Sequence, residues 1–259
     1  MTTVLLPAAQ FPSRLQALGW HKSIYLRGPV PADGPAVAIV GSRAASGTGM
    51  NHAHQLARHL TARGIHVVSG GAVGIDGASH RGALAAGGTT TVVLGHGLDL
   101  AYPSRHAPMF GEVLAAGGSL VSLVADGTPP LAALFPQRNQ LIAALADVVI
   151  VVEADLRSGS LSTAHAARKF GRVVAAWPGT PGCGRLLATG AAIVESCADA
   201  ERAVLGVPRL PEPVVLDPIT QQVKDAIAAG AGSVEAIVKR TGLTVRAVLR
   251  ALPLLERCS

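Results

Sequence analysis

Seven short runs of Val, Ile, Leu and Ala, at 37–41, 65–69, 90–95, 119–124, 147–153, 172–177 and 191–195, alternate with helix-length stretches along most of this chain. Runs that are apolar at consecutive positions read as strands covered on both faces, and that cover comes from crossover helices. This pattern predicts an α/β fold: a doubly wound, mostly parallel sheet of the extended Rossmann-like kind. The helices fall at about 46–63, 74–86, 107–116, 136–145, 159–169 and 198–205. Gly64, Gly87, Gly117 and Gly171 stand where helix-ending glycines are expected. In such a sheet ligands bind beyond the carboxyl ends of the strands, so the loops leaving those ends come first.

Two of these loops are rich in glycine. One reads Val40-Gly41-Ser42-Arg43, the other Ser69-Gly70-Gly71-Ala72-Val73-Gly74-Ile75-Asp76, with His80 one turn further on. A strand that ends in Gly or Ser and opens a helix presents backbone N–H groups suited to a phosphate. Neither loop is a nucleotide fingerprint: the first lacks the Lys-Ser/Thr ending of a P-loop, and the second is not GxGxxG followed by an acidic ribose ligand. The plainer alternative is tight strand–helix packing, with glycines that merely permit the turn. A bare turn, however, has no need of Ser42 and Arg43 at its tip.

Later loops add to the same edge. Tyr102-Pro103 offers an aromatic platform for stacking a base, and Phe135 is a second candidate. Arg138 and Asn139 follow Phe135 at a helix start, where a cation and an amide suit a phosphate or a base edge. Ser158, Gly159, Ser160 and Thr163 supply hydroxyl donors at another helix start, beyond the one needed for capping. Trp177-Pro178-Gly179, with Gly182 and Gly184, reads as a final loop beside Arg185. Asp76, Asp99 and Glu153 could converge for acid–base work, but they read more naturally as partners of loop amides or of Arg43 and Arg138. No GxSxG, HExxH or ligand-spaced His/Cys cluster is present, and His52, His54 and His59 lack ligand spacing. The sequence implies no metal, no cofactor and no catalytic residue.

Composition bounds the rest. The 259 residues are 49% hydrophobic and 15% charged, with a net charge of +6 carried mostly by arginine. That balance suits a polyanion. The longest apolar run is too short to span a bilayer, and residues 1–14 lack a charged leader. Cys183, Cys197 and Cys258 are scattered without CxxC spacing, which fits a reducing cytoplasm. A proline-rich linker at 207–218 separates a last module, 219–259, with amphipathic helices at about 219–229, 233–240 and 244–256. The last two helices, joined by a glycine turn, resemble a helix-turn-helix or small winged domain. Val245, Val248, Leu249 and Leu252 are expected to face its core, leaving Arg246 and Arg250 outside. The outer face reads either as a protein-contact surface or as a DNA reader, with the former slightly favoured. The expected division is therefore 1–36, an N-terminal segment; 37–206, the Rossmann-like domain; 207–218, the linker; and 219–259, the small helical, winged-helix-like module.

In their order, the loops resemble the DNA-processing protein A (DprA/Smf) family. The resemblance rests on Gly41-Ser42-Arg43, Ser69 to Asp76 with Ala78 and His80, Gly97-Leu98-Asp99, Tyr102-Pro103, Phe135 to Asn139, Ser158-Gly159-Ser160 with Thr163-Ala164, and Pro178-Gly179. Ser23 to Gly28 also resembles an early strand of the family. The departures are His106 where Asn is usual, Ser79 before His80 where Ala is usual, and Gln140 in place of a second arginine. The resemblance implies a non-catalytic, cytoplasmic homodimer that binds single-stranded DNA and loads the RecA recombinase on it, in natural transformation or DNA recombination. By matched position it implies a pocket of Ser42, Arg43 and the 70–76 loop, extended by Arg138, Asn139 and the 158–163 loop. Two rivals remain. One is a nucleotide phosphoribohydrolase similar to the LOG family, although Pro178 to Gly184 lacks that family's glutamate; the other is a nucleotide-sensing domain.

Overall fold

The computed structural model describes residues 2–31, 33–211 and 217–256. Positions 212–216 of the proline-rich linker, and Cys258, lie outside the described residues. The chain divides into a large unit, Met1–Leu187 with Ala191–Leu210, and a small one, Ala188–Gly190 with Pro211–Ser259.

The large unit contains, in chain order, β1 (Val4–Leu6), α1 (Ser13–Ala17), β2 (Ile24–Arg27), β3 (Ala36–Val40), α2 (Gly47–Ala62) and β4 (His66–Gly70). There follow α3 (Ile75–Ala85), β5 (Thr90–Leu94), α4 (Ala107–Ala115), β6 (Ser119–Ser122), α5 (Leu134–Ala144), β7 (Val148–Val151) and α6 (Ser160–Lys169). The unit closes with β8 (Val173–Ala176), α7 (Pro181–Ala188), β9 (Ala192–Ile193) and α8 (Cys197–Val204). The strands form one sheet in the order β1-β2-β6-β5-β4-β3-β7-β8-β9. The seven strands from β3 to β9 run parallel, while β1 and β2 add an antiparallel margin beside β6.

Side-chain alternation makes the sheet doubly wound. Ala38, Val40, Val68, Val93, Val149 and Val151 point to the face covered from α5, α6 and α7. Val37, Ile39, Val67, Val148 and Ile150 point to the opposite face, under α2, α3 and α8. α4 covers Val92, Leu94 and Leu120. All five residues of β3 are buried, which is why this stretch is apolar throughout. β3 stands between β4 and β7, so the chain leaves it toward one side of the sheet and later returns on the other. Loops diverge at such a switch point and leave a crevice between them.

Two expectations need correction. The stretch expected as a loop around Gly182 and Gly184 is the helix α7, opening at Pro181, a residue preorganised for the first helical turn. Gly182 packs so closely that a β-carbon there would lie 2.7 Å from the carbonyl oxygens of Ala154 and Asp155.

The second correction concerns the small unit, whose described residues hold three helices and no strand: α9 (Pro218–Ala228), α10 (Val234–Thr241) and α11 (Val245–Glu256). Asp217 and Ser233 cap the first two by accepting backbone N–H bonds, and Gly242 ends α10 at φ 72°. Val223, Ala226, Ile237, Val248, Ala251 and Leu255 form its core, with Leu252 packed against it. Val245 and Leu249, expected in that core, are each 53% exposed. The buried stripe of α11 runs through 248, 251, 252 and 255. This is the same helical spacing turned by roughly half a residue step or more.

Candidate nucleic-acid interface

The crevice is a groove of about 800 Å³ at the carboxyl edge of β3, β4 and β7. Its walls are the loop after β3 with Ser42 and Arg43, the start of α5, and the 158–163 turn into α6. A smaller slot of about 220 Å³ shares Arg43, Tyr102, Phe135 and Arg138 with it and adds Gly71, Val73 and Arg105. Two helices begin at the groove or its rim without a side-chain cap, α3 after Gly74 and α6 after Gly159. Helix starts carry partial positive charge.

The glycines of the second loop are required by what surrounds them. A β-carbon on Gly70 would run into the Arg138 guanidinium and the Asp76 carboxylate, and one on Gly71 into Leu94. Gly74 has φ 77° and ψ −127°, and a β-carbon there would strike the carbonyl of Ser42. The Ile75 N–H donates to that same Ser42 carbonyl at 3.3 Å, which ties the two glycine loops together. Two histidines pin the loop from beneath. His80 Nε2 donates to the Gly70 carbonyl at 3.0 Å, and His106 Nδ1 donates to the Gly71 carbonyl at 3.1 Å.

His80 is therefore no direct ligand. It is wholly buried, with Nδ1 2.9 Å from Thr90 Oγ1, and burial lowers its pKa to about 4. It is a neutral brace under the loop. One turn of α3 carries Asp76 to the groove and the residue four positions on to the sheet.

Arg43 and Arg138 play different parts. Arg43 is exposed at the groove mouth, its guanidinium 5.1 Å from the Phe135 ring centroid. Arg138 is 6% exposed, 3.7 Å from Asp76 Oδ2 and 5.8 Å from the Phe135 centroid. Its Nε has no partner among the described residues. Burial pushes the Asp76 carboxyl above the usual carboxylate range, opposed by Arg138 and by the Ala72 N–H. Burial likewise lowers the pKa of Arg138, opposed by Asp76. Arg43 faces the groove and makes no ion pair among the described residues, whereas Arg138 is a buried cation paired with Asp76 in the wall.

The remaining polar residues brace the walls. Asn139 Nδ2 donates to the Gly159 carbonyl at 3.1 Å and to Ser162 Oγ at 2.7 Å, holding α5 to the start of α6. Ser162 lies within the expected 158–163 loop without being singled out by sequence, and its partnership with Asn139 crosses 23 positions of sequence. Ser158 and Ser160 share a hydroxyl contact at 2.7 Å, and Thr163 lies buried along the groove floor. Glu153 accepts from the Ser46 N–H and hydroxyl, fixing the residue that caps α2. Asp99 accepts from Gly127 N at 2.8 Å. The three carboxylates are thus committed to separate loops. Tyr102 is 46% exposed, with its ring 6.3 Å from Phe135. Of the two aromatic candidates it offers the open face, since Phe135 already lies under both guanidinium groups. Among the described residues no cluster of His, Cys, Asp and Glu could hold a metal, and no helix is long and apolar enough to cross a membrane.

Comparison with known proteins gives these features relatives. The family model of DNA recombination-mediator protein A matches residues 2–204. A putative DNA processing protein DprA of Mycobacterium tuberculosis is 41% identical over 236 residues, covering 85% of this chain and 60% of that protein. The chain thus spans about 60% of the length of this curated relative. The X-ray structure of DNA processing protein A from Streptococcus pneumoniae matches with a TM-score of 0.70 at 34% identity, over 81% of this chain and 75% of that one. A structure of DNA processing protein A from Helicobacter pylori, described for its single-stranded DNA binding mode, matches with a TM-score of 0.70 at 29% identity. It covers 81% of this chain and 98% of that one.

Proposed function

This chain belongs to the DNA recombination-mediator protein A family, and from that premise we propose that it binds single-stranded DNA along the groove and passes it to the RecA recombinase. The observation that carries the reading is the groove itself. Its mouth presents Arg43, which makes no ion pair among the described residues, beside two glycine loops and two helix starts that begin at glycine. Fixed N–H donors and an arginine suit a backbone phosphate more than any one base. An exposed Tyr102 beside them suits stacking without sequence preference. The single-stranded DNA binding described for the H. pylori relative supports the same reading.

The DNA-contacting set in this reading is Ser42, Arg43, Gly70, Gly71, Gly74, Asp76, Arg138, Asn139, Ser158, Gly159, Ser160 and Thr163, with Tyr102 for stacking. All of them lie in the large unit, within the expected Rossmann-like stretch 37–206. The family resemblance adds a homodimer, a cytoplasmic setting and a role in natural transformation or DNA recombination. A non-catalytic role agrees with the commitment of Asp76 to Arg138, Asp99 to Gly127 and Glu153 to Ser46.

Titration with single-stranded and duplex oligonucleotides at two salt concentrations tests the proposal. Arg43→Ala is expected to weaken single-stranded binding by about tenfold or more, whatever the sequence. It should also flatten the slope of log K against log salt by about 0.7. Unchanged binding in a folded Arg43→Ala protein overturns the site. A mononucleotide that competes at the affinity of a long oligonucleotide favours nucleotide sensing instead.

A further inference from the structure

A second cavity, of about 410 Å³, lies on the other side of the 71–77 loop. Met50, Asn51 and His54 of α2, Gly74, Gly77 and Arg81 around α3, and His106 surround it. At two places, residues adjacent in sequence line the Tyr102 slot and this cavity. Val73 lines the slot and Gly74 the cavity, and Arg105 lines the slot and His106 the cavity.

Two features suit the cavity to a ligand. His106 is only 6% exposed, and its Nδ1 is held by the Gly71 carbonyl. Its Nε2 has no hydrogen-bond partner among the described residues, and it sits 3.2 Å from where a β-carbon on Gly77 would stand. That nitrogen lines the cavity and can accept a hydrogen bond from a group placed there. The charge is the second feature. Arg81 and Arg105 are exposed and make no ion pair among the described residues, and no carboxylate lines the cavity. Both arginines lie near enough to His106 to disfavour a positive charge on its ring. Arg43, Arg105 and Arg81 thus form a line of unpaired cations from the groove, past the slot, to this cavity.

We propose that the cavity takes one further nucleotide of the bound single strand, its phosphate on Arg81 and an N–H of its base edge donated to His106 Nε2. The inference rests on the single-stranded DNA reading of the main groove and adds an exit for the strand. The volume falls in the range of small-ligand sites, and half-exposed Met50 gives the base an apolar side.

The test uses the full chain, a length series of oligothymidylates and anisotropy titrations at several salt concentrations. Arg81→Ala should leave the shortest binding oligonucleotides unaffected. For longer ones it should weaken binding by about three- to tenfold and reduce the salt slope by about 0.7, the contribution of one phosphate. Arg81→Lys, which keeps the charge, should restore most of the slope. An unchanged Kd and slope at every length overturns the exit site and leaves this face for something other than DNA. Equal losses at every length overturn it too, since Arg81 would then be acting through the shared loop. Failure of the main groove is read separately, as Arg43→Ala without effect on oligonucleotides of any length.

Discussion

At the scale of single residues, much of the site is held by groups buried in its wall. Arg138 and Asp76 pair inside the wall, and removing either alone leaves a buried charge uncompensated, typically worth about 3 kcal/mol or more. His80 gives a sharper test. Its pKa in the folded protein, about 4, lies below the ordinary value of 6.5. Above pH 6.5 both folded and unfolded chains hold it neutral, and it contributes no pH dependence. As the pH falls from 6.5 toward 4, the unfolded chain takes up a proton that the folded one refuses, so stability declines. Between pH 7 and 5 this one residue should cost about 2 kcal/mol. Urea denaturation at the two pH values should therefore show a smaller loss in His80→Gln than in the unaltered protein. Equal losses would mean that His80 is not the buried neutral group described. His66, also lowered to about 4 by burial and by Arg14, adds its own decline in both proteins and leaves the difference intact.

At the scale of elements, α11 makes the clearest prediction. Val248→Ala removes methyl groups from a fully buried position and should destabilise the small unit by about 2 kcal/mol. Val245→Ala, on the exposed side, should stay within about 0.5 kcal/mol. Thermal melts followed by circular dichroism separate the two, and reversed effects would restore the stripe first expected from sequence. Both stripes have helical spacing, so periodicity alone could not choose between them; packing against α9 and α10 does. The sheet was far more legible. Its buried parallel strands are mostly apolar, and the glycines after α2, α3, α4 and α6 stop those helices as expected, each at positive φ. The antiparallel placement of β1 and β2 was not legible, because three or four residues carry too little pattern to show direction. Nor was α7, whose opening looks like a turn by composition until Pro181 is read as a helix start. At the site, Arg43 was legible from its place at a loop tip. The inward turn of His80 and the tie of Asn139 to Ser162 depend on side-chain direction and on distant neighbours, which no local motif encodes.

At the scale of the whole molecule, the net charge of +6 is spread over a chain whose groove residues all belong to the large unit. Charge alone is thus a poor guide to where DNA sits. Changing Arg246 and Arg250 of the small unit together to Ala removes two positive charges, yet it should leave the Kd for a short oligonucleotide within about twofold. That outcome contrasts with the loss expected for Arg43→Ala. A comparable loss in the double variant would bring α11 into the DNA-binding surface. The glycine loop above His80 and His106 has a further consequence, this time calorimetric. Its peptide groups are held in place by the protein before any strand arrives, so little of the loop's own conformational freedom remains to be lost. The unfavourable entropy of forming the complex then comes chiefly from the nucleotide chain. It should grow with each nucleotide seated, while the protein's share stays nearly constant from one oligonucleotide to the next.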